Sequence, residues 1–102
     1  SYDRGLAIAP DNAAAINDRG WLLQKLNRPE DALSSYDKAL AIDPTHKGAL
    51  EYEGEAYLET NQLPKAMNNL ATLKRACGSA GCAEIAQLQS AIGRYKKQAK
   101  IN

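Results

Sequence analysis

Two cysteines, one histidine and a run of glutamates are the side chains of this 102-residue chain with reactive potential. Cys77 and Cys82 flank the short segment Gly78-Ser79-Ala80-Gly81, and a loop of that length can bring two Cβ atoms within bonding distance. A disulfide there would tie the segments on either side together and imply an oxidising compartment. Its loop-closure contribution would be about 2 kcal/mol. Two reduced structural thiols are the other reading. The four intervening residues do not fit a thioredoxin-like spacing, and zinc would need two further ligands that the neighbourhood does not supply. His46 follows Asp43-Pro44-Thr45 and reads as a solvated turn residue. Glu51, Glu53, Glu55 and Glu59 form an acidic stretch with no base among them, but they lack the dense alternation of a calcium loop. No nucleophile–base pair and no glycine-rich phosphate loop occur, so the expectation is a non-enzyme without cofactor or metal.

Composition sets the wider limits. With 44% hydrophobic and 25% charged residues the chain is that of an ordinary soluble domain, and its net charge of +1 argues against a nucleic-acid partner. No run of about 18 apolar residues is present, so membrane insertion is not expected. The charges are placed unevenly. From Lys65 onward Glu84 is the only acid, against Lys65, Lys74, Arg75, Arg94, Lys96, Lys97 and Lys100.

The elements that would position these groups come from repetition. Tyr2-Asp3-Arg4-Gly5-Leu6-Ala7-Ile8-Ala9-Pro10 recurs as Tyr36-Asp37-Lys38-Ala39-Leu40-Ala41-Ile42-Asp43-Pro44, an offset of 34 residues. Fixed periods of this size mark stacked supersecondary units, and this one is the tetratricopeptide period. Residues 13–46 supply Ile16, Arg19-Gly20, Leu23, Ala32, Tyr36 and Pro44. Residues 47–80 supply Leu50, Glu53-Gly54, Tyr57, Ala66 and Leu70. On these positions the chain resembles tetratricopeptide-repeat proteins over roughly residues 1–80. The run Leu73, Cys77, Gly81-Cys82-Ala83-Glu84, Leu88 and Ile92 also resembles the C-terminal segment of certain exported bacterial members. That likeness implies a periplasmic or otherwise exported location, with the cytoplasm as the alternative.

The fold class expected is all-α, a right-handed superhelical stack of antiparallel helix hairpins. Residues 1–10 would be the end of a truncated repeat, with a helix near 2–8. Residues 11–46 and 47–80 would be full repeats, with helices near 12–26, 30–42, 46–60 and 64–76, and residues 81–102 a capping helix and tail. Asn27 and Asn61 stand where a left-handed residue should separate the helices of each hairpin. Pro29 can open a helix without losing a hydrogen bond, and Asp11 or Thr45 can cap the helix after Pro10 or Pro44. Gly20 and Gly54 are small where helices approach, with Ala32 and Ala66 expected to face them. Ile85, Leu88, Ile92 and Tyr95 form one apolar stripe on the last helix, as a terminal cap needs. Because Ser1 enters midway through a repeat, the chain reads as cut from a longer protein.

The resemblance implies a groove lined by the first helix of each repeat. Mapping its positions gives Asn17, Asp18, Trp21, Gln24 and Lys25, then Glu51, Tyr52, Glu55, Leu58 and Glu59. Members that clamp a terminal carboxylate carry Lys and Asn at matching positions, whereas Asn17 and Trp21 stand in the first slot here and Glu51 and Glu55 in the second. The expectation is therefore a scaffold binding a neutral or basic peptide or partner helix, with Trp21 as the aromatic anchor. The alternative is self-assembly, through an apolar edge at residues 2–8 that could form a homodimer or through the basic last helix. Arg19 and Glu53 replace the usual Leu before Gly and are expected to pair across the stack.

Overall fold

A computed structural model describes residues 12–100, which form five α-helices and a short 3-10 turn. They are α1 (Ala13–Lys25), α2 (Pro29–Ile42), α3 (Lys47–Glu59), α4 (Leu63–Cys77) and α5 (Ala83–Ala99), with the 3-10 turn over Gly78–Ala80 between the last two. The expected helix near 2–8, the homodimer edge on the same residues and the Asp11 cap lie outside the described residues. The chain is all-α, a stack of helical hairpins.

Each hairpin is bent by one asparagine. Asn27 and Asn61 have φ of 61° and 59°, left-handed values that asparagine tolerates better than most side chains because its short amide can bond locally. Pro29 is the first residue of α2 and Pro64 falls in the first turn of α4, where a missing N–H leaves no bond unmade. The cap of α3 differs from expectation. Asn12 accepts from the Ala15 amide (3.0 Å) to open α1, and His46 Nδ1 accepts from the Ala49 amide (3.1 Å) to open α3. Thr45 cannot serve, because its amide and hydroxyl both turn back to Asp43 Oδ1, at 3.3 and 3.4 Å. His46 is thus a helix cap, half-buried, and not a solvated turn residue.

Packing closes around two apolar clusters. The first joins the hairpins: Tyr36 and Ala32 of α2 and Ala56 of α3 are fully buried, with Tyr52 tilted at 35° against the Tyr36 ring and centroids 6.3 Å apart. The second gathers Leu50 and Leu58 of α3, Ala66, Leu70 and Leu73 of α4, and Leu88, Ala91 and Ile92 of α5. The glycines receive larger neighbours than the alanines expected. A Cβ on Gly20 would sit 2.5 Å from the Tyr36 ring, and one on Gly54 would sit 2.7 Å from Leu88. Gly54 is therefore the seat of α5, which enters the core with Leu88 and Ile92 and packs Ile85 and Tyr95 at its margin. The apolar stripe is as expected. Its destination is the last hairpin, as a cap requires: α5 rests on both α3 and α4.

Candidate functional site: the face shared by α1, α3 and α5

The 34-residue register makes Asn17, Asp18, Trp21, Gln24 and Lys25 of α1 equivalent to Glu51, Tyr52, Glu55, Leu58 and Glu59 of α3. Three of these ten are buried. Asn17 is 6% exposed, with its amide nitrogen against Gly48 and its oxygen unpartnered. Glu51 and Leu58 are 4% and 8% exposed. Leu58 packs among the α5 side chains of the second cluster, and the Gln87 carboxamide of α5, nitrogen toward Glu51, donates to both carboxylate oxygens at 2.8 and 3.3 Å. Asn17 and Glu51 are thereby engaged within the fold, while Leu58 shows only an edge at the surface. Asp18, Trp21, Lys25 and Glu59 are exposed, and Gln24, Tyr52 and Glu55 are half-buried.

The accessible residues are linked to one another. The Tyr36 hydroxyl donates to Gln24 Oε1, and Gln24 Nε2 donates to Glu59 Oε2 at 3.1 Å, so a buried phenol fixes an exposed carboxylate through one amide. Trp21 is 39% exposed, and the Lys25 ammonium lies 5.1 Å from its ring centroid, a cation–π contact one helical turn away. Burial, followed by the charges of Glu55 and Glu59, raises the Tyr36 hydroxyl well above the phenol range. Burial and the charges of Glu51, Glu55 and Asp18 raise that of Tyr52. The same field acts on the acids. Burial, then a hydrogen bond with Glu55, pushes Glu51 up to about 8, so near neutral pH Glu51 carries a proton.

Helix α5 supplies residues that the repeat register could not reach. Arg94, Tyr95 and Gln98 form one wall of a cleft of about 270 Å³ whose other wall is Glu55, Leu58 and Glu59. A second cleft of about 310 Å³ runs between Glu55 and the Gln87, Ser90 and Arg94 side of α5. The Tyr95 hydroxyl donates to Asn61 Oδ1 (3.3 Å), which ties this wall to the turn between α3 and α4. Arg94 belongs to the basic end that was legible in the sequence, but its place opposite Glu55 was not.

Arg19 and Glu53 do not pair. Arg19 is exposed on α1, while Glu53 is 3% exposed and turns toward α2 and α4, where Oε1 accepts from Asn69 Nδ2 (2.9 Å). Its neighbour across the stack is Asp37, and burial, followed by a hydrogen bond with Asp37, pushes the Glu53 carboxyl up to about 8. The one ion pair among the described residues is Arg28–Asp31 (2.6 Å), exposed at the start of α2. Cys77 and Cys82 are joined by a disulfide between the end of α4 and the cap of α5, spanning the 3-10 turn. No group of three or more His, Cys, Asp or Glu side chains among the described residues is placed to hold a metal. No described helix is long and apolar enough to cross a membrane.

Comparison with known proteins agrees with this architecture. The tetratricopeptide repeat is matched over residues 13–46. Tetratricopeptide repeat protein 21A of Mus musculus is 30% identical over 83 residues, covering 80% of this chain and 6% of that protein. A DnaJ homolog subfamily C member 7 homolog of Schizosaccharomyces pombe is 33% identical over 73 residues, covering 68% and 15%. The inactive TPR repeat-containing thioredoxin TTL3 of Arabidopsis thaliana is 31% identical over 88 residues, covering 86% and 12%. The chain thus spans well under a fifth of the length of the curated relatives it matches. No solved structure matches it. A 34-residue register, hairpins turned on left-handed asparagines and these matches together place the chain in the tetratricopeptide-repeat family, whose repeats serve protein–protein interaction.

Proposed function

We propose that this chain is a non-catalytic interaction module that holds a neutral or basic peptide or partner helix on the face shared by α1 and α3. The observation that carries this reading is Trp21, 39% exposed beside Asp18 and on the register position equivalent to Glu55. A large amphipathic ring at the rim of a carboxylate field is the kind of anchor that dominates interfaces, because it buries much area at little entropic loss. Glu55 and Glu59 supply the charge preference. Asn17, Glu51 and Leu58 act beneath them as support. The test is affinity capture with full-length bait, comparing the intact protein with a Trp21→Ala, Glu55→Lys variant whose helix content is unchanged by circular dichroism. Loss of a specific prey is expected. Recovery of the same prey at the same yield would overturn the reading.

A second reading, self-assembly, rests on Leu22 of α1 and Leu26 just after it, which are 56% and 67% exposed. Sedimentation across salt concentrations separates the two, since an apolar contact between copies gives a dimer that persists at high salt. The Cys77–Cys82 bond supports placement of the protein in an oxidising, exported compartment, because such bonds are rare where thiols are kept reduced. Thiol trapping in intact cells tests this: alkylation of both cysteines before lysis would refute it.

A further inference from the structure

The sequence suggested a groove suited to a neutral or basic peptide. The structure alters this, because α5 lies along α3 and brings Arg94 to the junction of the two clefts, each of which Arg94 and Glu55 line together. Arg94 makes no ion pair with Glu55 or Glu59, so positive and negative groups line the clefts side by side. Glu59 is held in place by Gln24, and Glu51 is withdrawn beneath Gln87. Between the charges, Leu58 and Ala91 give the first cleft an apolar floor, and about 270 Å³ is room for one long side chain with its aliphatic stem.

Resting on the reading that this face binds a peptide, we propose that the α3–α5 cleft recognises a mixed-charge segment, a basic residue next to an acidic one. The ammonium or guanidinium enters the first cleft between Glu55 and Glu59, with its stem on Leu58 and Ala91. The neighbouring carboxylate meets Arg94 at the junction of the clefts. Arg94 suits this role because its planar fork can take both oxygens of a carboxylate. A uniformly basic segment would place a second positive charge against Arg94. Opposed signs on partner and site favour one sequence order and reject others, so the cleft supplies specificity more than raw affinity.

Fluorescence anisotropy with three labelled synthetic peptides on one alanine–leucine background tests the assignment, the peptides carrying Lys-Glu, Lys-Gln or Lys-Lys at the centre. The expected order of affinity is Lys-Glu, then Lys-Gln, then Lys-Lys, with steps of roughly two- to five-fold, as exposed charge pairs give. In Arg94→Gln the advantage of Lys-Glu over Lys-Gln should vanish. In Arg94→Glu the Lys-Lys peptide should become the tightest. Equal affinities for the three peptides, or an order unchanged in Arg94→Glu, would overturn the inference while leaving the Trp21 capture result intact. Absence of binding by all three peptides would also overturn it. Capture of the prey unaffected by Trp21→Ala, Glu55→Lys would remove the parent reading instead, so the two failures are distinguishable.

Discussion

Raising the pH from about 5 to about 8.5 should loosen this fold from the inside, and Glu53→Gln should suppress much of the effect. Glu53 lies where α2, α3 and α4 meet, 3% exposed, with Oε1 bonded to Asn69 Nδ2 and Oε2 without a donor. The groups around it are Asp37 on α2, Asn69 on α4 and Tyr57 on its own helix, and none is a cation. Burial first, and then the hydrogen that a proton gives Oε2 to donate toward Asp37, push the carboxyl up from 4.5 to about 8. Because the folded state holds this proton more tightly than the unfolded chain, stability falls as pH rises through the window from about 4.5 to about 8 and is level above it. Three and a half pH units at about 1.4 kcal/mol each set a ceiling of about 5 kcal/mol. Sharing of the proton with Asp37 and entry of water reduce this to about 2–3 kcal/mol. Glu53→Gln keeps an oxygen for Asn69 and offers an N–H toward Asp37 at every pH. Urea denaturation followed by circular dichroism at several pH values should therefore show a stability slope shallower by that amount in the variant. Glu51→Gln serves as the parallel control, since Glu51 has its own proton to lose near pH 8. An identical slope in wild type and Glu53→Gln would refute the argument.

Other substitutions test individual joints. Gly20→Ala should destabilise by about 1–2 kcal/mol in thermal melts, since overpacking against the fully buried Tyr36 ring outweighs the better helix propensity. His46→Ala removes the α3 cap and should cost about 1 kcal/mol, with the largest loss of amide protection at Ala49 in hydrogen exchange. Asn27→Ala places an ordinary side chain at φ 61° and should cost about 1–2 kcal/mol, whereas Asn27→Gly should be close to neutral. Cys77→Ser, Cys82→Ser should lower stability by about 2 kcal/mol in denaturant, with faster exchange in α5 than in α1. Equal exchange rates in the two helices would argue against α5 being the element the bond retains.

Much of the scaffold was legible because it is written locally. A left-handed asparagine, a proline at a helix start and a 34-residue recurrence need only their sequence neighbours, and Asn27, Asn61 and Pro29 act as those signals require. The cap of α3 was misread by one position, since Thr is the better capping residue in general and nothing local announces that Asp43 will claim it. The Arg19–Glu53 pairing failed for a related reason: equivalence between repeats puts two positions on adjacent helices but does not say that one points to water and the other between hairpins. The face proposed for binding was legible on α1 and α3, whose residues follow the repeat. Its third wall was not, because α5 has no register to follow, and an amphipathic stripe says that a helix will dock without saying where.

The bond between Cys77 and Cys82 has a mechanical side. Cys77 and Cys82 lie five positions apart in the chain, yet their Cα atoms are 5.8 Å apart, whereas that stretch fully extended would reach roughly 17 Å. Tension applied through α5 bypasses the loop and is delivered directly to the last turn of α4, whose Leu73 is fully buried in the second cluster. A load on α5 is thereby borne by the hairpin core, and the slack in the loop is released only when the sulfurs part.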